Sequence, residues 1–184
     1  MAFVRFPRRR VDGVLLLDKP VGLSSNSALQ RAKRLFAAEK AGHTGTLDPL
    51  ATGMLPLCFG EATKFAHVLL DARKEYLATL AFGIATETGD AEGATLRTCE
   101  VSFSCDELAG VLPRFVGTIA QVPPRFAALK HQGRNYYEYA RAGFEIPRAA
   151  RNVRIDGIEL LRWDPPQAVL RVASGKGAYV RTLA

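Results

Sequence analysis

Apolar residues alternate with polar ones along several stretches of the chain, which is the pattern of a half-buried strand. The clearest is EYLATLAFG, residues 75–83. One face of this strand would carry Tyr76, Ala78, Leu80 and Phe82. A short apolar run at 13–17 predicts a buried strand, and residues 153–163 and 167–174 predict two strands joined by an Asp-Pro-Pro turn.

After the first strand, apolar residues recur at helical spacing in SNSALQRAKRLFAAEKAG, residues 25–42, which predicts a helix. Ser24 or Ser25 can cap this helix and Gly42 ends it. Its predicted inner face is Ala28, Leu29, Ala32, Leu35 and Phe36. A second helix is expected after a turn at Gly60, with an inner face of Phe65, Val68 and Leu69. Two more helices are predicted over residues 104–113 and 135–142.

These elements predict an α+β fold, a mixed, mostly antiparallel β-sheet flanked by helices, because strands outnumber helices and do not alternate with them regularly. Residues 85–98 are rich in Thr, Gly, Asp and Glu and predict an exposed loop or loose hairpin. No repeat or linker divides the chain, so one domain over residues 1–184 is expected. Its last residues, YVRTLA, look like a strand that passes into an interrupted helix, which predicts an incomplete domain.

Composition fits a globular protein, with 48% hydrophobic and 23% charged residues. The longest apolar run, VLLL, is far shorter than the roughly twenty residues that span a bilayer, so we expect a cytoplasmic protein without a membrane segment. Three Cys and three His form no C-x-x-C pair and no His pair at helical spacing. We therefore expect reduced, structural cysteines and no zinc site.

The distribution of charge says more than the net charge of +7. Residues 1–40 hold nine Lys/Arg against three Asp/Glu, and residues 114–154 hold eight against two. Between them, residues 41–113 hold four against ten. This pattern suits a polyanion held at its phosphates while an acidic group acts on it, although a solvated basic surface gives the same pattern.

The acidic stretch contains the segment AGHTGTLDPLATG, residues 41–53. Its glycines allow tight backbone conformations, and the proline after Asp48 restricts the chain there. A carboxylate so presented can be a nucleophile, a general base, a metal ligand or the cap of a turn. The segment lacks the Gly-Lys-Ser/Thr of a P-loop, the extra acids of an aspartyl-phosphate enzyme and the G-x-S-x-G of a serine hydrolase.

An ionised carboxylate in a site closed to water needs a nearby cation. Arg is the suitable partner because it stays charged and pairs bidentately. Near the end of the chain, GAYVRT offers Arg181 in a strand-like context, with Tyr179 on the same face. A surface arginine remains the alternative.

Five blocks of sequence together resemble the TruB family of tRNA pseudouridine synthases, in order and across nearly the whole chain. They are GVLLLDKPVGLSSN, AGHTGTLDPLATGMLPLCFGEATKF, KEYLATLAFGIATETGDAEG, QVPPRFAALKHQGRNYYEYARAG and GKGAYVRTLA. The resemblance implies the pseudouridine synthase fold and an isomerase that converts the T-loop uridine of tRNA, position 55, to pseudouridine by base flipping, without cofactor or metal.

By match to the family motifs, Asp48 is the nucleophile and Arg181 is its ion-pair partner. Tyr76 would stack on the target base and help remove its C5 proton. His43 would help displace that base from the stacked loop. These residue types suit the task, because extruding a stacked base costs a few kcal/mol that stacking and phosphate contacts must offset.

The resemblance also implies a mobile RNA-binding insertion over residues 124–151. The RNA-binding residues that it implies are His43, Lys19, Pro20, Tyr179, Lys130 and Arg141. The chain departs from the family pattern at Phe126-Ala127, Ser174-Gly175 and Ala178, which affects contact details rather than Asp48, Tyr76 or Arg181. Family members continue beyond VRTLA, so a truncated catalytic domain without the C-terminal RNA-binding domain is expected.

We expect a monomer that binds the tRNA T-stem-loop and needs no obligate protein partner. One alternative is a non-catalytic protein of the same fold that binds or folds tRNA. Another is a metal-dependent hydrolase that uses Asp48 and His43.

Overall fold

The computed structural model describes residues 7–184 and divides the chain into two compact units. The first extends to Ala72 and the second is Arg73–Ala184. The boundary lies at Ala72-Arg73, where no run of Pro, Gly or Ser marks a linker, and for this reason the sequence did not indicate it.

The first unit is a small antiparallel sheet with a helix packed on one face. The elements are β1 (Gly13–Lys19), α1 (Ser25–Leu35), β2 (Ala41–His43), β3 (Gly53–Phe59), a 3₁₀ segment (Gly60–Phe65) and α2 (Ala66–Asp71). The strands have the order β1-β3-β2, with β3 central. Because β2 and β3 are joined only by residues 44–52, the loop that contains Asp48 emerges from the end of this sheet.

The core of this unit forms where α1 covers the sheet. Ala28, Leu29 and Ala32 of the helix pack against buried side chains of the sheet. The buried residues of the cluster are Ala28, Leu29, Ala32, Ala38, Leu55, Leu57 and Phe59. Each large apolar side chain so buried contributes about 1.5–3 kcal/mol, so this small unit depends on α1 for its stability.

Three expectations about helices in this unit are wrong: the end of the first helix, the place of Leu35 on its inner face, and the inner face of the second helix. The first helix ends at Leu35, well before Gly42, because Phe36 caps it and Ala37 adopts a left-handed φ of 49°. Leu35 is consequently 85% exposed and does not belong to the inner face. After Gly60 the chain forms the 3₁₀ segment and the short α2, which leave Phe65 and Val68 exposed.

The second unit is built on a four-stranded antiparallel sheet. Its strands are β4 (Lys74–Ala81), β7 (Gly117–Gln121), β10 (Arg151–Asp164) and β11 (Gln167–Ser174). They have the order β4-β11-β10-β7. Two hairpins are formed by β5 (Ile84–Thr86) with β6 (Thr95–Thr98) and by β8 (Lys130–His131) with β9 (Arg134–Asn135). The helices are α3 (Cys105–Val111), followed by a 3₁₀ segment (Leu112–Phe115), α4 (Tyr136–Arg141) and α5 (Val180–Leu183).

One face of this sheet carries the core of the second unit. Its buried members are Leu108, Leu112, Ile155, Ala168, Leu170 and Val172. Next to them Phe82, Phe103 and Trp163 form an aromatic cluster, with ring centroids 5.1–5.8 Å apart. The edge-on contacts of Phe82 in this cluster are the favoured geometry of aromatic pairs.

The α+β class is confirmed, and every pairing between the strands named above is antiparallel. In β4 the predicted alternation is confirmed, because Tyr76 and Leu80 share the half-buried face while Leu77 is exposed. The loose hairpin over residues 85–98 is present as β5 and β6. Arg181, expected in a strand-like context, lies instead in the short helix α5, for which Tyr179 is the N-cap residue.

Candidate active site

Asp48 lies in the loop between β2 and β3, and hydrogen bonds within the first unit shape that loop. Gly45 and Gly53 adopt φ values of 128° and 118°, which an L side chain rarely adopts. The carbonyl of Asp48 accepts the N–H of Ala51 at 3.1 Å, which closes a turn with Pro49 and Leu50 at its centre. The loop therefore has a defined course at Asp48 without belonging to a strand or helix.

Lys19 and Pro20, at the end of β1, lie beside this loop. Lys19 is fully buried, and its ammonium donates to the carbonyls of Pro20 at 2.9 Å and Leu23 at 2.7 Å. It also reaches the carbonyl of Pro49 at 3.4 Å, and the N–H of Gly22 donates to the same oxygen at 2.8 Å. Burial of Lys19 favours a role in holding the loop over direct contact with an RNA phosphate.

His43, at the end of β2, belongs to the same group of loop residues. Its Nδ1 lies 2.5 Å from the carbonyl of Gly45. Because a carbonyl oxygen only accepts, Nδ1 carries the proton, and in the neutral ring Nε2 is then an acceptor. This contact fixes the ring, and Nε2 is left as its second polar atom for a ligand.

Arg181 lies in the second unit, in a polar site that it shares with Asp90. Its guanidinium donates to the carbonyls of Thr88 and Phe126, both at 3.1 Å. Nη1 lies 3.5 Å from Oδ2 of Asp90, and only 13% of the Arg181 side chain and 12% of the Asp90 side chain are exposed. A guanidinium bound on several sides in this way is fixed in orientation as well as in charge.

Asp90 is a site residue that the sequence analysis missed. Thr88 Oγ1 donates to its Oδ1 at 2.5 Å, and the N–H of Glu92 donates to the same oxygen at 3.0 Å. The carboxylate thus closes the tip of the β5–β6 hairpin and faces Arg181. Gly89 adopts a φ of 71°, a left-handed conformation that favours glycine, and it lies beside the carbonyl of Arg181. The Thr-Gly-Asp sequence that ends at Asp90 is typical of a turn, but it does not show which way the carboxylate points.

Tyr179 and Tyr76 occupy defined positions in the second unit. Gln121, which is buried, donates through Nε2 to the carbonyl of Tyr179 at 3.0 Å and accepts its N–H at 2.8 Å. The main chain that leads into α5 and Arg181 is therefore fixed to the end of β7. Tyr76 lies on the half-buried face of β4, opposite Val172 of β11.

The predicted insertion, residues 124–151, contains the hairpin β8–β9 and the helix α4. Tyr136 is buried and anchors α4, whereas Lys130 and Arg141 are exposed. Arg141 lies 5.4 Å from the centre of the Tyr137 ring, a cation–π distance. The hydrogen bond from the Asn135 side chain, at 2.8 Å, is the main cause that lowers the pKa of Glu138. The insertion thus presents exposed cations beside half-buried tyrosines.

The first unit therefore brings together Lys19, Pro20, His43 and Asp48, and the second holds Tyr76, Tyr179, Arg181, Lys130 and Arg141.

Within residues 7–184, no group of three or more His, Cys, Asp or Glu side chains has the arrangement of a metal site. Cys58, Cys99 and Cys105 are free thiols, and burial raises the pKa of Cys58, which keeps it protonated. No helix of the described chain combines the length and apolar character needed to cross a membrane.

Comparison with known proteins gives consistent matches over this chain. Residues 33–180 match the model of the TruB family pseudouridylate synthase, N-terminal domain. The chain is 60% identical to tRNA pseudouridine synthase B of Thiobacillus denitrificans over 177 residues, covering 96% of this chain and 59% of that protein. The same enzyme of Neisseria meningitidis serogroup B is 58% identical, with 96% of this chain and 57% of the relative covered. The chain thus spans less than two thirds of the length of these relatives.

Solved structures resemble the fold as well. A Cbf5–Nop10–Gar1 complex contains a chain that matches with a TM-score of 0.68 and 30% identity, covering 93% of this chain and 42% of that one. An H/ACA RNP bound to a substrate RNA containing 2′-deoxyuridine matches with a TM-score of 0.66 and 28% identity, covering 93% and 40%.

Proposed function

The chain belongs to the TruB family of pseudouridylate synthases, and on this premise we propose that it isomerises the T-loop uridine of tRNA, position 55, to pseudouridine. The observation that carries the proposal is the presentation of Asp48. Its loop is held by hydrogen bonds to the segment after β1 on either side of the aspartate. A nucleophile gains most from such fixation, because a rigid approach geometry lowers the entropic cost of reaching the transition state.

In the proposed reaction Asp48 is the nucleophile: its carboxylate forms a transient bond to the uridine, and this bond breaks again before the product is released. The bond between N1 of uracil and C1′ of ribose breaks, the base turns, and a bond forms between C5 and C1′. The C5 proton is lost and N1 gains a proton, so the product is an isomer of the substrate. Such a reaction needs no oxidant, reductant or group donor, and we expect no metal or cofactor.

The remaining roles follow the same scheme. Arg181 is held by Asp90 and two carbonyls. Its positive charge would keep the carboxylate of Asp48 ionised when the bound RNA excludes water. Tyr76 offers an aromatic face to the extruded base and assists loss of the C5 proton. His43 presents Nε2 beside the loop of Asp48 and helps displace the target base from the stacked RNA loop. Tyr179 supports the base.

The proposed partner is the T-stem-loop of tRNA, bound by a monomer in the cytoplasm. Exposed Lys130 and Arg141 contact its phosphates, and the tyrosines of the insertion pack against sugar or base. Buried Lys19 holds the Asp48 loop, and exposed Pro20 beside it contacts the RNA.

Release of tritium from RNA carrying 5-³H-uridine at the target position tests the proposal. We expect release by the unaltered protein and none above background by Asp48→Asn, which keeps the shape of the side chain and removes its charge. Release should persist in the presence of a chelator, whereas a metal-dependent hydrolase would lose its activity. RNA binding without release by the unaltered protein would refute the enzyme and support a tRNA-binding or folding protein instead.

A further inference from the structure

Ser25 is the first residue of α1, but its hydroxyl serves the Asp48 loop instead of the helix. The helix is capped by its neighbour, because Ser24 Oγ accepts the N–H of Ser27 at 3.1 Å. Ser25 is only 2% exposed. A hydroxyl so deeply buried must find its partners inside the protein.

Both partners of the Ser25 hydroxyl belong to Leu47, the residue that precedes Asp48. Oγ accepts the N–H of Leu47 at 2.8 Å and donates to the carbonyl of Leu47 at 3.0 Å. One side chain thereby satisfies both main-chain polar groups of a single loop residue. The Leu47 side chain also packs against the core of the first unit, so Leu47 is fixed through its side chain as well as its main chain.

On the other side of Asp48, the carbonyl of Pro49 accepts the N–H of Gly22 at 2.8 Å and lies 3.4 Å from the ammonium of Lys19. The residues before and after the aspartate are therefore bound to one stretch of chain, at Lys19, Gly22 and Ser25. A residue whose two neighbours are fixed has little freedom in the direction of its Cα–Cβ bond. The contacts of Ser25 complete this arrangement on the N-terminal side.

We infer that Ser25 is a positioning residue for Asp48: its hydroxyl sets the course of the main chain that aims the carboxylate at the substrate. The inference deepens the proposed function and rests on it, because Ser25 would act on turnover only through Asp48. Displacement of a reacting group by about 1 Å can lower a rate by about 100-fold. A hydrogen bond to Leu47, the residue next to Asp48, can therefore affect the rate.

The substitution Ser25→Ala removes both hydrogen bonds and leaves the N–H and carbonyl of Leu47 to find other partners. We expect the single-turnover rate at saturating enzyme to fall by about 10- to 100-fold. Affinity for the T-stem-loop should change by less than about 2-fold, because a side chain 2% exposed does not contact RNA. Ser24→Ala is the matched control: it removes the neighbouring hydroxyl and the helix cap, so it should lower the melting temperature without lowering the rate.

Equal rates for Ser25→Ala and Ser24→Ala would overturn the inference. If Ser25→Ala does not fold, Ser25→Thr and Ser25→Val give the same comparison, since their side chains have nearly the same shape and only Thr keeps the hydroxyl. We expect Thr to retain at least about ten times the rate of Val. Equal rates in this pair would again contradict the positioning role.

Hydrogen exchange at the Leu47 amide tests the contact without reference to turnover. The amide should be protected in the unaltered protein and in Ser24→Ala, and should exchange at least about tenfold faster in Ser25→Ala. If the unaltered protein releases no tritium, the proposed function fails, and unchanged exchange would separately refute the contact. If the protein is active and Ser25→Ala keeps the full rate, the positioning role alone fails.

Discussion

Arg181 depends on Asp90, a residue 91 positions earlier in the chain that no simple pattern connects to it. Their charges lie 3.5 Å apart with little exposure to solvent, so the attraction is only weakly screened. The carboxylate is itself held by Thr88 Oγ1 and the N–H of Glu92. Arg181 is thus oriented by a hairpin tip whose shape is fixed by its own hydrogen bonds.

We predict that Asp90→Asn weakens this arrangement while preserving the shape of the side chain. Loss of a hydrogen-bonded charge partner at a mostly buried site costs about 1.5–3 kcal/mol, so the melting temperature should fall and the turnover rate should fall about tenfold or more. Thermal unfolding and tritium release measure the two effects.

The matched control is Glu100→Gln, which neutralises an exposed carboxylate elsewhere in the second unit. This substitution should leave both quantities nearly unchanged, as surface substitutions usually do. A folded Asp90→Asn variant with the rate and melting temperature of the unaltered protein would contradict the dependence of Arg181 on Asp90.

Sequence and structure diverge most at this residue scale. Asp48, Tyr76 and Arg181 could be singled out because they stand in specific blocks of a recognised family. Asp90 could not be singled out, because residues 85–98 have the composition of an exposed loop, and composition does not reveal that one carboxylate turns inward. The sequence indicates only a helix cap for Ser25, because its partner Leu47 is 22 positions away.

At the scale of elements, α3 shows how local sequence sets a helix start. Ser104 Oγ accepts the N–H of Glu107 at 3.2 Å, and the Glu107 carboxylate accepts the N–H of Ser104 at 2.7 Å. This capping box satisfies two donors at the start of the helix. The hydrogen bond from the main chain of Ser104 is the main cause that lowers the pKa of Glu107.

A pH dependence of stability follows from this shift. Because the pKa of Glu107 is lower in the folded protein than in the unfolded chain, the ionised carboxylate stabilises the fold above its unfolded pKa, and this contribution is lost as the pH falls through the folded value. We predict that the difference in melting temperature between the unaltered protein and Glu107→Gln is largest near neutral pH and narrows below about pH 4.5.

Asp106→Asn is the comparison for this prediction. Asp106 lies in the same first turn, so it experiences the same helix dipole, but Glu107 is the residue that accepts from Ser104. If both variants show the same pH profile, the capping box is not the source of the effect.

Elements with strong local signals could be predicted and others could not. The strands β4, β10 and β11 and the helix α3 follow from alternation, turn residues and a cap. The end of α1 could not be predicted, because Ala-Ala-Glu-Lys favours continuing a helix and the left-handed Ala37 that stops it has no sequence mark. The segment around Phe65 has helical spacing, yet packing leaves that side chain exposed.

At the scale of the molecule, charge is divided between two basic stretches and an acidic one. The basic stretch 114–154 includes the insertion with exposed Lys130 and Arg141. Cations that neutralise phosphates release counterions, so binding of RNA should weaken as salt rises. The magnitude of that salt dependence reports how many cations touch the RNA.

We predict that Lys130→Ala and Arg141→Ala each weaken RNA binding and each lower the slope of log affinity against log salt by about 1, with the single-turnover rate at saturation unchanged. Arg97→Ala, which removes an exposed arginine from the acidic stretch, should alter neither affinity nor slope. Equal slopes in all four proteins would exclude contact between the insertion and the phosphates.

The aromatic cluster of Phe82, Phe103 and Trp163 has a practical consequence for following these variants by fluorescence. Trp163 is the only tryptophan of the chain, and it lies in the second unit. Its emission, excited selectively, reports the environment of that cluster, while the unit that carries Asp48 and Ser25 contributes no tryptophan signal. Comparison of emission with circular dichroism during heating would therefore show whether the two units melt together or one before the other.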